Sequence, residues 1–579
     1  MPTPLPLPEN YNPATYMLSK TTEYGLFHET RQAARLAMNL LANGTPEDLS
    51  LAEKVLNALL VCQERDPSDP HFGNFYWMRE DSYVEDLNAV EFNLESLIPM
   101  MLHHGVLLPA ELRQRVLDSI RLGLDEIRCL DVLILYTNIT TLDILNTCLG
   151  AELLADQPLL ERGRGKLAAW IAYTNVHGHP LEYNSPTYTS VTLRALKQLV
   201  DTASDEEVRR LANEMMSKLA LSVLLHIHRG TGRWAGPHGR AYQPSVVCET
   251  PPEIEMVRDW IANGTIPAAL TKWLDDRPDR FQVVETAERD RSLAITTYHS
   301  ASFALGTATR ALNPQANLCM LHYRRPAAER PGVLYTRYLL DDKWFGDAYH
   351  ATDRTKTRNL PDEGDFYSVQ DENRMIGIYG PQNFRQGRSA KAVLIWTQIE
   401  QIDQVWVDGK LVQEYPFAMT PGQLLIVASG DVLIAVRPLT VTPLGRAAPI
   451  QLVERNGDLA LEMFNYRGPD KRFWEMGWPG AFYKGKPIVA FYLEVVERSD
   501  YADVASFAAA INAGNIEQQM DEPYTWSGVG ERIYRAAYQR NGQEIGIEID
   551  LMAWQLKKRW TERGELGWPT MEVRGFDFE

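Results

Sequence analysis

Residues 277–309 read RPDRFQVVETAERDRSLAITTYHSASFALGTAT, and the grammar of the chain changes within them. Upstream, apolar residues recur at three- and four-residue steps. From here on they come as short β-branched and aromatic runs broken by Gly, Pro and Asp. The first spacing paints one stripe of a helix; the second suits extended strands. Helices are therefore predicted to dominate residues 20–275 and antiparallel strands residues 285–500, with the boundary in this stretch.

Working outward, LAEKVLNALLVCQ (51–63), AVEFNLESLIPMML (89–102) and TLDILNTCLGAELLAD (141–156) carry the helical period, joined by short connectors such as NGTPED (43–48). Short connections make antiparallel helix pairs. Downstream, NLCMLHYRR (317–325), GQLLIVASGDVLIAVRPL (422–439) and KPIVAFYLEVVE (486–497) read as strands in series, which build a sandwich. ADVASFAAAIN (502–512) is a late helix. The expected fold is α+β and multidomain: an N-terminal (α/α) toroid over residues 1–280, then an antiparallel β-sandwich over 281–579.

Composition narrows the function. A chain of 579 residues with 45% hydrophobic content can bury more than one core. A net charge of −18 argues against nucleic acid as a partner. Five scattered cysteines without a C-x-x-C pair suggest reduced thiols. MPTPLPLPENYNP has no signal-peptide pattern, so a cytoplasmic location is expected unless an export signal has been trimmed. No apolar run reaches the roughly 18 residues of a membrane helix, so no membrane partner is expected. Phosphate-binding, dinucleotide-binding, G-x-S-x-G and H-E-x-x-H motifs are missing, and neither cofactor nor metal is expected. Oligomeric state is open.

Four stretches raise a functional question, three of them carrying more polar and aromatic residues than packing requires: 70–93, 135–145 and 230–245. In HPLEYNSPTYTSVTLRAL (179–196), Ser185 suits an N-cap and Pro186 the first helical position. Glu182, Tyr183 and Asn184 then lie just outside a helix start and Tyr188 on its first turn, where backbone N–H groups favour an anion. The plainer reading is a capped helix with two tyrosines packed beside it. PHFGNFYWMREDSYVEDLNAVEFN (70–93) offers Tyr76, Trp77 and Arg79, aromatic faces that suit sugar rings, or else an ordinary long connection. GTGRWAGPHGRAYQPS (230–245) concentrates Arg233, Trp234, His238, Arg240 and Tyr242 in an irregular loop. A base, a phenol and a guanidinium so close together could transfer a proton and hold an anion. In LYTNITTLDIL (135–145), Tyr136 and Asn138 stand near the start of an apolar helix with Asp143 five residues on, a functional grouping, or else Thr137 or Asn138 simply caps the helix.

The order of toroid and sandwich, with YNSPTY, GPHGRAY and TTYHSASFALGT, resembles the heparinase II/III-like α/α-toroid polysaccharide lyases. That resemblance implies a uronate-containing poly- or oligosaccharide as substrate, cleaved by β-elimination. It implies that Asn184 neutralises the uronate carboxylate, that Tyr188 or Tyr242 is the catalytic tyrosine, and that His238 and Arg240 are its partners. Tyr76, Trp77, Arg79, Glu182, Tyr183, Trp234 and His299 would bind substrate, His299 from the sandwich. Two alternatives stand beside it. A glycoside hydrolase on the same scaffold would need two carboxylates from Glu80, Asp81, Glu91, Glu182 and Glu249. A non-catalytic glycan-binding protein would need only the aromatic residues.

Overall fold

The computed structural model describes residues 3–22, 24–346, 359–382, 384–445, 448–472, 485–522 and 530–577. The change of period falls where the structure changes type: the last short helix before the sheets is Lys272–Asp275, and the first strand after it is Phe281–Glu288.

Helices α1 (Thr30–Asn43), α2 (Pro46–Leu60), α3 (Ala89–His104), α4 (Ala110–Leu130), α5 (Thr137–Leu154), α6 (Gln157–His177), α7 (Tyr188–Thr202) and α8 (Glu206–His226) follow in order. α1 packs on α2 and α3, α3 on α4 and α5, and α5 on α7, so α1, α3, α5 and α7 form one row with α2 and α4 packed behind it. This alternation is that of an (α/α) toroid. That row explains a sequence oddity: α5 has little amphipathic stripe because every residue from Thr137 to Ala151 is buried. α2 shows the local grammar well, with Thr45 Oγ1 accepting from Asp48 N–H and Pro46 at the first turn. The helical region also opens with a small sheet of Tyr11–Asn12, Met17–Thr22 and Gly25–His28, strands too short to leave a periodic signal.

The β region is layered. Among the described residues, ten antiparallel strands run, edge to edge, from Phe417–Met419 through Ile450–Arg455, Asp458–Arg472, Gln386–Trp396, Gly332–Leu340, Cys319–Tyr323, Phe303–Ala308, Leu293–His299 and Phe281–Glu288 to Met571–Arg574. A seven-stranded sheet faces it, linked by Thr336–Tyr379 and Thr307–Gln370 hydroxyl and amide hydrogen bonds, each 2.9 Å. The other face of that sheet packs Ile376, Ile426, Leu433 and Tyr492 against Phe507 and Ile511 of the helix Val504–Asn512. The same face meets Tyr534, Ile545 and Ile547 of a five-stranded sheet. The expected sandwich therefore has a third layer. Its middle sheet is covered on both sides, and Arg374–Pro381 and Val489–Glu497 are buried throughout, so the stretches 375–381 and 489–493 run apolar without alternation.

By packing, the chain forms two compact units: residues 3–174 with 188–220, and residues 175–187 with 221–346 and the described residues after 359. Four cysteines are buried and Cys129 is exposed. No helix among the described residues is long and apolar enough to cross a membrane.

Glu91, on α3, is fully buried and neither carboxylate oxygen has a hydrogen-bond partner among the described residues. Burial, with Asp143, Asp86 and Glu126 nearby, holds its carboxyl well above the usual range, and its own backbone N–H offsets this only in part. The folded chain then keeps a proton that the unfolded chain releases above about pH 4.3, so stability falls as pH rises from there toward the folded pKa. Glu91→Gln should match the wild type near about pH 4 and exceed it increasingly at alkaline pH. Urea midpoints across pH measure this; parallel curves for the two proteins would refute it.

Candidate active site

Four segments of the second unit converge. Residues 182–185 follow the end of α6, and 233–242 form the irregular loop. Thr297 lies on the strand Leu293–His299, and 313–317 precede the strand Cys319–Tyr323. The loop is seated on the ten-stranded sheet: Ala241, Val246 and Cys248 share a buried cluster with Met320, Val333, Tyr335 and Val393.

Asn184 ties the segments together. Its φ is +45°, in the left-handed region that Asn tolerates, and it is 2% exposed. Its Nδ2 donates to the carbonyls of Ala235 (2.7 Å) and Pro237 (2.8 Å), and its Oδ1 accepts from Trp234 Nε1. Its own carbonyl accepts from His238 Nδ1 at 2.6 Å. Both amide hydrogens are engaged by main chain, so this amide positions the loop. That corrects the expectation that it faces a substrate carboxylate. The helix start is corrected too: α7 begins at Tyr188, and Ser185 Oγ donates to the Arg240 carbonyl at 2.5 Å.

His238 is held from both sides. Its main chain pairs with Asn317 (N–H to O, 3.1 and 2.9 Å), and the preceding Gly236–Pro237 bond is cis. The Gly236 carbonyl accepts from Thr297 Oγ1 at 3.0 Å. It lies so close to Gly306 that a Cβ there would stand 1.6 Å from the Gly236 oxygen. Only glycine fits at 306. Burial pulls the His238 pKa down to about 4, with His226 and Arg233 adding to the effect against the Asn184 hydrogen bond. The ring is therefore neutral at neutral pH. A carbonyl oxygen can only accept, so the ring proton sits on Nδ1 and the lone pair on Nε2.

Arg240 is partly exposed. Its Nε donates to Gln315 Oε1 at 2.5 Å and its Nη1 to Glu182 Oε1 at 3.1 Å. Tyr242, also partly exposed, is the residue before the short helix Gln243–Val246. Tyr183 is fully buried, and burial pushes its hydroxyl well above the usual phenol range, which rules it out as a base near neutrality. Trp234 is 1% exposed and Arg233 2%; Arg233 binds Glu253 (2.7 Å) and Thr250, and these two residues anchor the loop rather than offer it a face. His299 is 1% exposed and stacked on Phe281 at 4.4 Å, inside the sheet packing.

The other predicted binding residues belong to the first unit. Trp77 is buried, edge-on to Phe92 and under the Arg31 guanidinium. Tyr76 is partly exposed and donates to Glu64 at 2.9 Å; Arg79 is exposed and reaches the Thr15 carbonyl. Glu80 accepts from the His28 backbone and ring, and Asp81 caps the turn at Met78. Tyr188 is 8% exposed at the start of α7. Asp143 is buried between Arg162 and Lys166 at 2.6 Å each.

Gln315, Asn317, Thr297 and Glu253 shape the site and went unnoticed in the sequence. Each acts through register or through one or two side-chain bonds, for which no local spacing exists.

Over residues 7–247 the chain matches a family described as Domain of unknown function (DUF8769). No curated protein matches. Among solved structures, the chain is similar to a heparinase III, with 10% identity and a TM-score of 0.44 over 90% of this chain and 82% of that one. It is similar to the heparan sulfate lyase HepC from Pedobacter heparinus, with 12% identity and a TM-score of 0.40 over 96% and 90%. It is also similar to a chondroitin AC lyase from Streptomyces coelicolor, with 9% identity and a TM-score of 0.39 over 90% and 84%.

Proposed function

We propose that the protein is a polysaccharide lyase acting on uronate-containing glycans by β-elimination. The observation that carries this reading is the 2.6 Å bond from His238 Nδ1 to the Asn184 carbonyl, which leaves a neutral imidazole with its Nε2 lone pair available. A C5 proton beside a uronate carboxylate is very weakly acidic, so two things are needed: a cation on the carboxylate and a base for the proton. Arg240 supplies the cation, exchanging Glu182 for the substrate carboxylate; its planar fork suits that geometry. His238 Nε2 takes the C5 proton. The electron pair forms the C4–C5 double bond as the C4–O bond breaks, and the leaving oxygen receives a proton from the Tyr242 phenol. Asn184 and Gln315 keep the base and the guanidinium in place.

The test is incubation with a panel of uronate glycans, following ultraviolet absorbance of the conjugated unsaturated product together with new reducing ends. A rise in both is expected. New reducing ends without absorbance would overturn the lyase reading in favour of hydrolysis, with Glu182 as first carboxylate to examine. Neither signal on any glycan would overturn it in favour of binding alone.

A further inference from the structure

The last turn of α6 and the hairpin that opens the ten-stranded sheet bring together three metal-ligating side chains that the proposed chemistry does not use. His177 ends the helix, Glu288 ends the strand Phe281–Glu288, and Asp290 lies in the turn before Leu293–His299. One ligand atom from each lies within 4.8 Å of the other two, and His177 Nδ1 stands 2.5 Å from Glu288 Oε1. His177 is 9% exposed and Glu288 4%, while Asp290 is open to solvent.

Two backbone features hold the grouping. Gly178 has φ +110°, and a Cβ there would meet the Thr286 carbonyl at 2.3 Å, so the helix end lies directly on the strand because residue 178 has no side chain. The register of Phe281–Glu288 against Leu293–His299 then slips between Thr286 and Glu288. Such a bulge re-aims the side chain that follows it.

We infer that His177, Glu288 and Asp290 form a binding site for a divalent transition-metal ion, zinc or manganese, with water completing the shell. One imidazole and two carboxylates are a borderline-to-hard donor set, which suits these ions. Ligand atoms about 2.0–2.1 Å from a tetrahedral ion stand about 3.3 Å apart. The closest pair here must open by less than about 1 Å to reach that spacing, a side-chain adjustment. A simple His177–Glu288 ion pair would account for two of the groups but gives no role to Asp290, the second carboxylate within reach. Bound there, the ion would staple the helix end to the first hairpin of the sheet.

The experiment uses the full chain, dialysed against chelator and titrated with zinc chloride and, separately, manganese chloride by calorimetry, with thermal unfolding of each mixture. One equivalent of at least one ion should bind, and the same ion should raise the unfolding midpoint. Asp290→Asn sits in an exposed turn and should fold as the wild type does; it should weaken binding at least about tenfold, as the loss of one ligand does. His177→Gln should abolish binding and the midpoint shift. No saturable binding of either ion by the wild type would overturn the inference. So would unchanged affinity in both variants, which would leave the cluster an ion pair.

Discussion

Asn184→Asp is expected to destabilise the second unit by roughly 3–5 kcal/mol, the range for an uncompensated buried charge. The substitution is nearly isosteric, so packing hardly changes. What changes is polarity: two donors that face the Ala235 and Pro237 carbonyls become acceptors. Three oxygens would then crowd a site that is 2% exposed, with only Trp234 Nε1 left to donate. Folding would drive the new carboxyl to hold a proton, so the loss should be smaller in acid and grow as pH rises. Urea unfolding at several pH values measures this. Thr297→Val, which removes a single bond to the Gly236 carbonyl, serves as a scale and should cost about 1–2 kcal/mol. A loss under about 1 kcal/mol for Asn184→Asp would mean that the amide does not organise the loop.

His238→Asn is expected to lower turnover by about 10²–10⁴-fold while the unfolding midpoint stays close to that of the wild type. The asparagine amide can still donate to the Asn184 carbonyl in place of Nδ1, but nothing replaces the Nε2 lone pair. The pH profile adds a second readout. Since burial holds the imidazole near 4, the acid limb of kcat/KM in the wild type should fall close to that value and not near the usual 6.5 of histidine. The limb should be missing from the residual activity of the variant. A variant that kept turnover within about threefold would remove His238 from the base role and move attention to Tyr242.

Much of the architecture was legible because it rests on period. Helices α1, α2 and α4 each announce an apolar spacing, and the stretch from Phe281 onward changes to strand composition where the first strand begins. The third layer was hidden for a physical reason. Strands such as Val489–Glu497 are covered on both faces, and an apolar run such as residues 489–493 does not say how many sheets enclose it. At the candidate site, the loop 230–245 and Asn184 stand out in the sequence by composition, but their contacts do not. Asn184 looked exposed because it precedes a helix. Its burial depends on residues 235–238 folding over it, a contact across some fifty positions with no local signature. The same holds for Trp234 and His299, whose rings resemble ligand platforms in composition and prove to be packing.

The strand Met571–Arg574 lies beside Phe281–Glu288 at the end of the ten-stranded sheet, with Thr286 N–H also donating to the Pro569 carbonyl. On a ribosome, the earlier strand therefore emerges long before the neighbour that covers it. Until the last segment is synthesised, its N–H and C=O groups form an open edge, available to any other nascent chain. The sheet can be completed only after translation has passed Arg574, which makes its assembly a late and long-range step. A chain cut before Met571 would keep every residue of the loop 233–242 and still carry a permanent template for aggregation.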